Sequence, residues 1–379
     1  RMAHLEGVRV LEFSHMVMGP TVGMILADLG AEVIKVEPLG GDKTRNLPGS
    51  GAGYFAMYNR NKRSITVDLK SAEGIEVIRA LLENSDVMIE NFRDGALDKL
   101  GLGYGAVREI KPNIIYQSCK GFLSGPYENR TALDEVAQMM GGLAYMTGPS
   151  GRPLRAGASV IDVSGALFGV IGILSALLSR KDTGKGANVR ASLYETTAFL
   201  VGQHIAQGAV TGTPAPPMPE RISAWAVYDV FDTSDGQIFV GVVSDGQWKS
   251  VCEEFGLTDW GADEDMSNNP GRVAQRNTII PHLRSVFSKI STESLTARVG
   301  KIGLPYAPIR KPEDLLDDPH LSAHGMHEME LPDGQRVRLP ALPLEIDGAR
   351  PELRRSPPKI GADTDEVLSW LGLDTAKPA

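Results

Sequence analysis

Cysteine is nearly missing from this chain: Cys119 and Cys252 are the only two among 379 residues, and they lie far apart. They supply neither a disulfide framework nor a zinc site, and each reads as a buried thiol. Basic residues are in deficit, 39 Lys and Arg against 47 Asp and Glu, for a net charge of −8. That balance lacks the basic face that nucleic acid requires, so no nucleic-acid partner is expected. It leaves room for a small anionic ligand held by local charge. Phosphate-cradling turns are missing too. The first strand runs into Ser14-His-Met-Val-Met-Gly-Pro20 rather than G-x-G-x-x-G, and there is neither a P-loop nor a G-x-S-x-G elbow.

The first residues carry no leader-like apolar core, and Arg1 ahead of Met2 reads as an added residue. One stretch, Ala158–Leu178, is apolar enough to raise a membrane span. It holds Asp162, three serines and three glycines and stands alone, so a helix buried between a sheet and a partner is expected, in a soluble cytoplasmic protein without a membrane partner. His320, His324 and His327 follow Asp317-Asp318 at helical spacing, but Pro319 and Gly325 interrupt that helix. A solvated turn is expected there, and no metal.

What is present is an alternation of short β-branched runs with helical patterns. Val8–Phe13, Glu32–Val36, Ser64–Asp68, Asp86–Glu90, Asn113–Gln117 and Ala187–Leu193 read as strands. Thr21–Leu29, a helix capped by Ser71, Asp134–Leu143 and Val163–Arg180 read as helices. This rhythm predicts a large α/β domain with a parallel sheet covered by helices. Thr211–Pro219 holds four prolines in nine residues and marks a linker. Beyond it, the hairpin pattern around Ser234-Asp-Gly236 and the helical runs after it predict a smaller α+β domain. The division expected is 1–210, a linker at 211–221, the small domain at 222–310, and 311–379 returning to the large domain.

Three segments invite chemistry. Asp162 lies between Val160-Ile161 and Val163 where a long helix begins. It is either an N-cap, which the residue pattern alone favours, or a reactive carboxylate in a partly dry site. Asn59-Arg-Asn-Lys-Arg63 with Lys70 concentrates four cations, either a solvated strand start or a phosphate clamp. Glu90–Lys99 follows a strand whose carboxyl end is where parallel sheets bind ligands.

Leu11–Pro20, Leu29–Glu37, Asp42-Lys-Thr-Arg45, Asn59–Ile65, Glu90-Asn-Phe92, Gly101-Leu-Gly-Tyr104 and Thr183-Gly-Lys-Gly186 together resemble the class III CoA-transferase family, the CaiB/BaiF superfamily. Weaker likeness continues through Gly303–Ile309 and Gly361–Leu368. The resemblance implies a Rossmann-like large domain and an interlocked homodimer. It implies acyl-CoA and a small mono- or dicarboxylate as substrates, with no prosthetic group. It also implies that an aspartate, at the position of Asp162, attacks the thioester and carries CoA as an aspartyl thioester. Even a pKa raised by about two units would leave this group mostly ionised at pH 7, and the helix N-terminus should oppose the rise.

In the family register, Val17, Met18, Asp68, Leu69, Lys70, Asn91, Phe92, Lys99, Lys120 and Gly121 fall on CoA-contacting positions. Lys99 stands where formyl-CoA transferases carry an arginine, Val17 where they carry a glutamine, and Pro38 where they carry another arginine. These departures point away from formyl-CoA and oxalate. His15, Arg152, Arg155 and Lys120 are candidates to meet a distal carboxylate, with Asp134 beside Asp162. Ser244, in the Gly241–Gly246 turn, is a candidate for a loop over the site, or an ordinary strand-to-helix turn. The related α-methylacyl-CoA racemases need the histidine of a His-Asp pair where this chain has Leu133-Asp134, and leucine cannot exchange a proton. A CoA-transferase is therefore expected, ahead of a racemase or a non-catalytic CoA-binding protein.

Overall fold

In the computed structural model, which describes residues 3–373, six strands form one parallel sheet. They are β1 (Arg9–Phe13), β2 (Glu32–Glu37), β3 (Lys62–Thr66), β4 (Val87–Glu90), β5 (Ile115–Lys120) and β6 (Ala187–Ser192), in the order β3-β2-β1-β4-β5-β6. The order reverses between β1 and β4, which opens a crevice at the carboxyl ends of those two strands. Arg1, with its reading as an added residue, and the last six residues lie outside the described chain.

The central strands are covered on both faces. On one face, Val10, Val87, Ile89 and Ile115 pack against Val22 and Leu26 of α1 (Met18–Asp28). On the opposite face, Leu11, Phe13, Ile34 and Met88 pack against Ile78 and Leu81 of α3 (Ala72–Glu83), and a short helix, α2 (Tyr54–Tyr58), precedes β3 in the chain. The next helices in order are α4 (Ala96–Lys99), α5 (Tyr104–Ile110), α6 (Asp134–Met140), α7 (Leu143–Thr147), α8 (Val160–Thr183) and α9 (Leu193–Thr211). Helix α1 starts three residues before the expected Thr21, because Pro20 sits in its first turn, where a missing N–H costs nothing.

Helix α8 also starts early, at Val160, so Asp162 lies inside its first turn rather than ahead of it. The helix is long and apolar enough to cross a membrane by composition alone. Its inner side, Ile161, Val170 and Ile173, is buried on the sheet. Its outer side is not: Leu167, Phe168, Ile171 and Leu178 are exposed, and Phe199, Ile205 and Val210 of α9 are exposed as well. Of the expected burial between a sheet and a partner, the sheet side is met within this chain and the other side is left exposed.

The cationic run 59–63 is neither a solvated strand start nor a phosphate clamp. Arg60 and Lys62 are buried, Arg60 pairing with Asp28 at 2.8 Å and Lys62 with Glu12 at 2.8 Å. Arg63 turns to Glu366 at 2.9 Å. Strands β1, β2 and β3 thus carry a dry ion cluster, with Lys35 of β2 reaching Glu12 and Asp42 at 3.4 and 3.0 Å. Stranded buried charges are costly, so Glu12→Leu, which leaves two ammonium groups without their shared carboxylate, should lose about 3–5 kcal/mol. A lowered urea midpoint with an unchanged slope is the expected readout.

The chain divides into two compact units, one running to Glu220 and resuming at His320, the other Arg221–Pro319. The second holds an antiparallel sheet of β7 (Tyr228–Asp232), β8 (Gln237–Gly241) and β9 (Tyr306–Pro308). Helices Asp245–Glu254, Arg276–Phe287 and Thr292–Lys301 close its core around Phe231, Trp248 and Leu283. It ends nine residues beyond the expected 310. Ile309 N–H continues the strand pairing onto the Gln237 carbonyl, and Arg310 pairs with Asp318 at 2.6 Å, fastening 311–318 to this unit. The expected linker begins one residue late, since α9 runs to Thr211 before Gly212 closes it in the left-handed region.

Candidate active site

The first turn of α8 has four amides without helical partners, and its N-cap, Ser159, offers no side-chain acceptor. The acceptor comes from another helix. Asp134, the first residue of α6, takes Ile161 N–H at 2.9 Å and Asp162 N–H at 2.8 Å on one carboxylate oxygen. Its other oxygen accepts from Gln138, one turn along α6. Gln138 in turn accepts from Ala156 N–H at 2.9 Å, which fixes the segment that carries Arg155. Asp134 is therefore a cap, but of α8 rather than of its own helix. The capping alternative for Asp162 falls away with this.

Asp162 is left half-buried with its carboxylate uncommitted to the helix. Burial, and then the neighbouring Asp134 charge, push its pKa up to about 7, against a smaller opposing pull from Arg155. The expectation of a mostly ionised group at pH 7 is thus corrected. The helix amides that should have opposed the rise stabilise Asp134 instead. Tyr58, at the end of α2, is near enough that Asp162 adds to the burial that raises its phenol pKa.

Arg155 lies on the other side of Asp134. Its Nη2 is 3.4 Å from the Asp134 carboxylate and 3.4 Å from Ser159 Oγ, both long for a charge-assisted contact. Its buried Nε has no acceptor among the described residues. Since Asp134 is satisfied by two amides and Gln138, the guanidinium keeps donors in reserve.

The turn between β1 and α1 reaches this group through Met18. A side chain at Gly165, one turn beyond Asp162, would come within 2.9 Å of the Met18 methyl, so the glycine is what lets α1 and α8 approach. Val17 and Met18 open α1, Asn91 and Phe92 follow β4, Asp68, Leu69 and Lys70 follow β3, and Lys120 and Gly121 close β5. All of these, with Lys99 at the end of α4, lie along the carboxyl edge of the sheet.

Their side chains differ in what they can offer. Lys70 and Lys99 are exposed and, among the described residues, not ion-paired. Lys120 is engaged by Asp94 at 2.5 Å and lies 3.8 Å from Glu90. It also lines a polar cavity of about 180 Å³ with Arg93 and Arg190. The Asn91 amide is committed to the His15 backbone, accepting at 3.2 Å and donating at 2.7 Å. His15 stacks on Phe92 at 5.7 Å, and burial lowers its pKa, which disfavours its charged form. Ser244 belongs to the second unit, where it caps Asp245–Glu254 by accepting Gln247 N–H at 3.1 Å. Leu133 is 65% exposed at the start of α6 and places no proton-transfer group there.

Gln138, Tyr58 and Thr44 were not singled out by sequence. For Gln138 a signal existed, since Asp134 and Gln138 stand four apart on one helical face.

Over residues 5–364 the chain matches the profile of CoA-transferase family III. The chain belongs to that family. Its relatives include succinate–glutarate CoA-transferase of Agrobacterium fabrum, 32% identical over 98% of this chain and 96% of that protein. Succinyl-CoA:mesaconate CoA-transferase of Haloarcula hispanica is 30% identical over 99% and 98% of the respective chains. A crystal structure of a CaiB/BaiF family protein from Brucella suis is 34% identical, covers 98% of this chain and 100% of that one, and superposes with a TM-score of 0.89. The enzyme is a CoA-transferase acting on carboxylic acids.

Proposed function

We propose that this transferase moves CoA between small dicarboxylic acids through a covalent relay on Asp162, working as an interlocked homodimer. The observation that carries the relay is the uncommitted Asp162 carboxylate on the first turn of α8, held in place by Asp134 through its own backbone amide.

The Asp162 carboxylate adds to the acyl-CoA carbonyl, the C–S bond breaks, and CoA leaves as thiolate, giving a mixed anhydride. The thiolate then attacks the aspartyl carbonyl and expels the donor carboxylate, leaving an aspartyl-CoA thioester. The acceptor carboxylate attacks that carbonyl, releasing the thiolate and forming a second anhydride. Attack of the thiolate on the acceptor's acyl carbon forms the new acyl-CoA and frees Asp162. Every step exchanges one carboxyl derivative for another, so no ATP is consumed.

Acyl-CoA lies along the carboxyl edge of the sheet, with Val17 and Met18 near the thioester and Lys70 and Lys99 toward the phosphates. The reserve donors of Arg155 suit the carboxylate of a diacid, in keeping with relatives named for succinate, glutarate and mesaconate. The exposed apolar sides of α8 and α9 suit a second copy of the chain.

A panel of acyl-CoA donors and carboxylate acceptors tests the reaction. Parallel double-reciprocal plots, and exchange of labelled donor acid into its acyl-CoA in the absence of the acceptor, are expected. Intersecting plots without exchange would remove the relay. Arg155→Ala should raise KM for the acceptor diacid about 10–100-fold, the worth of hydrogen bonds to a charged group, and leave KM for acyl-CoA within about twofold. Initial rates with both substrates varied check this.

A further inference from the structure

The turn Ser14–Val17 is held from three sides, by Lys35, Asn91 and Thr44. Lys35, fully buried, donates to the Ser14 carbonyl at 2.8 Å. Asn91 brackets His15 through both its backbone N–H and its carbonyl. Met16 N–H donates to Thr44 Oγ1 at 2.9 Å. Thr44 is itself seated by Asp42, which accepts its N–H at 2.9 Å and pairs with Lys35 at 3.0 Å. All three supports are buried or nearly so, while Met16 itself is 37% exposed.

Met16 also has a φ of 67°, in the left-handed region that a side chain with a Cβ avoids. Such a conformation persists only where its surroundings over-determine it, and it is concentrated at sites that need a preset backbone. Here the surroundings are visible: a dry chain of charge and hydroxyl, Lys35 to Asp42 to Thr44, ending on the amide of the strained residue. Burying that chain is unfavourable in itself. It serves a turn followed directly by Met18, whose methyl lies against Gly165, one turn beyond Asp162 on α8.

We infer that Lys35, Asp42 and Thr44 are positioning residues that preset the Ser14–Val17 turn for acyl-CoA without touching it. This rests on the placement of CoA along the carboxyl edge of the sheet. The preset turn lowers the ordering cost of binding, so its loss is felt in CoA affinity rather than in the chemical step.

Thr44→Val is the informative variant, since it removes the acceptor and nearly keeps the shape; Lys35 and Asp42 variants would strand buried charge. Two readouts are taken on the full-length protein: Kd for free coenzyme A by titration calorimetry, and hydrogen exchange of peptides spanning 14–18. The expected result is Kd raised about tenfold, faster exchange in that peptide, kcat at saturation within about threefold, and recovery of both readouts in Thr44→Ser. Unchanged Kd overturns the inference. If exchange rises while Kd stays, the turn is held by Thr44 but does not receive CoA, and the placement of CoA at this turn fails with it. If neither changes while Lys99→Ala weakens CoA binding, the placement stands and the positioning role alone is lost.

Discussion

Asp162→Asn should lower kcat by at least about 10⁴-fold, because a neutral amide cannot open the thioester and no second carboxylate stands on the same turn. Binding of CoA should survive, as the amide keeps the size of the side chain it replaces. In the wild-type enzyme the attacking form is the ionised one, and Asp162 titrates at about 7. Hence kcat/KM should rise with pH, tenfold per unit at first, and level off above about 7.

The same raised pKa has a consequence for stability, of opposite sense. Between the usual carboxylate range and about 7 the folded enzyme holds a proton on Asp162 that the unfolded chain has released. Stability therefore falls as pH rises through that window and stays lowered above it. The amide escapes this penalty. Asp162→Asn should match wild type near pH 4 and be more stable by about 1–2 kcal/mol at pH 8, a figure reduced for partial solvent access. Thermal unfolding at the two pH values checks it.

Asp134 carries the second large effect. Asp134→Ala removes the acceptor for two amides of α8 and frees the segment around Gln138, so Asp162 is no longer held. Loss of the cap should lower stability by about 1–2 kcal/mol, and kcat should fall about 10–100-fold, the scale set by misplacing a reacting group. Asp134→Asn separates the two roles. Its oxygen can still take the helix amides, so most of kcat should be retained, while removal of the neighbouring charge should carry the acid limb of the pH profile below 7. An acid limb unmoved in Asp134→Asn would mean that the two carboxylates do not share one field.

Much of this site was legible in the residues. The βαβ rhythm predicted a parallel sheet, and Ser71 capped the helix it was expected to cap. The ordered motifs from Leu11 to Gly186 carried the family. Three features were hidden for physical reasons. The charges of Arg60 and Lys62 read as a solvated strand start or a phosphate clamp because their partners, Asp28 and Glu12, are dozens of positions away and meet them only when the strands assemble. The cap of α8 was looked for at Asp162 because capping is usually local, whereas here Asp134 supplies it across 28 positions of chain. The size of the rise at Asp162 comes from burial first and from the Asp134 charge second, and the second was hidden with the cap.

The direct test of the relay is to trap its intermediate. The enzyme is incubated with succinyl-CoA and no acceptor, treated with hydroxylamine at neutral pH, digested, and read by mass spectrometry. A hydroxamate on Asp162 that requires the acyl-CoA, is absent from Asp162→Asn, and is lost when an acceptor diacid is added first is the predicted result. Full turnover with Asp162 unmodified at every acyl-CoA concentration would contradict it.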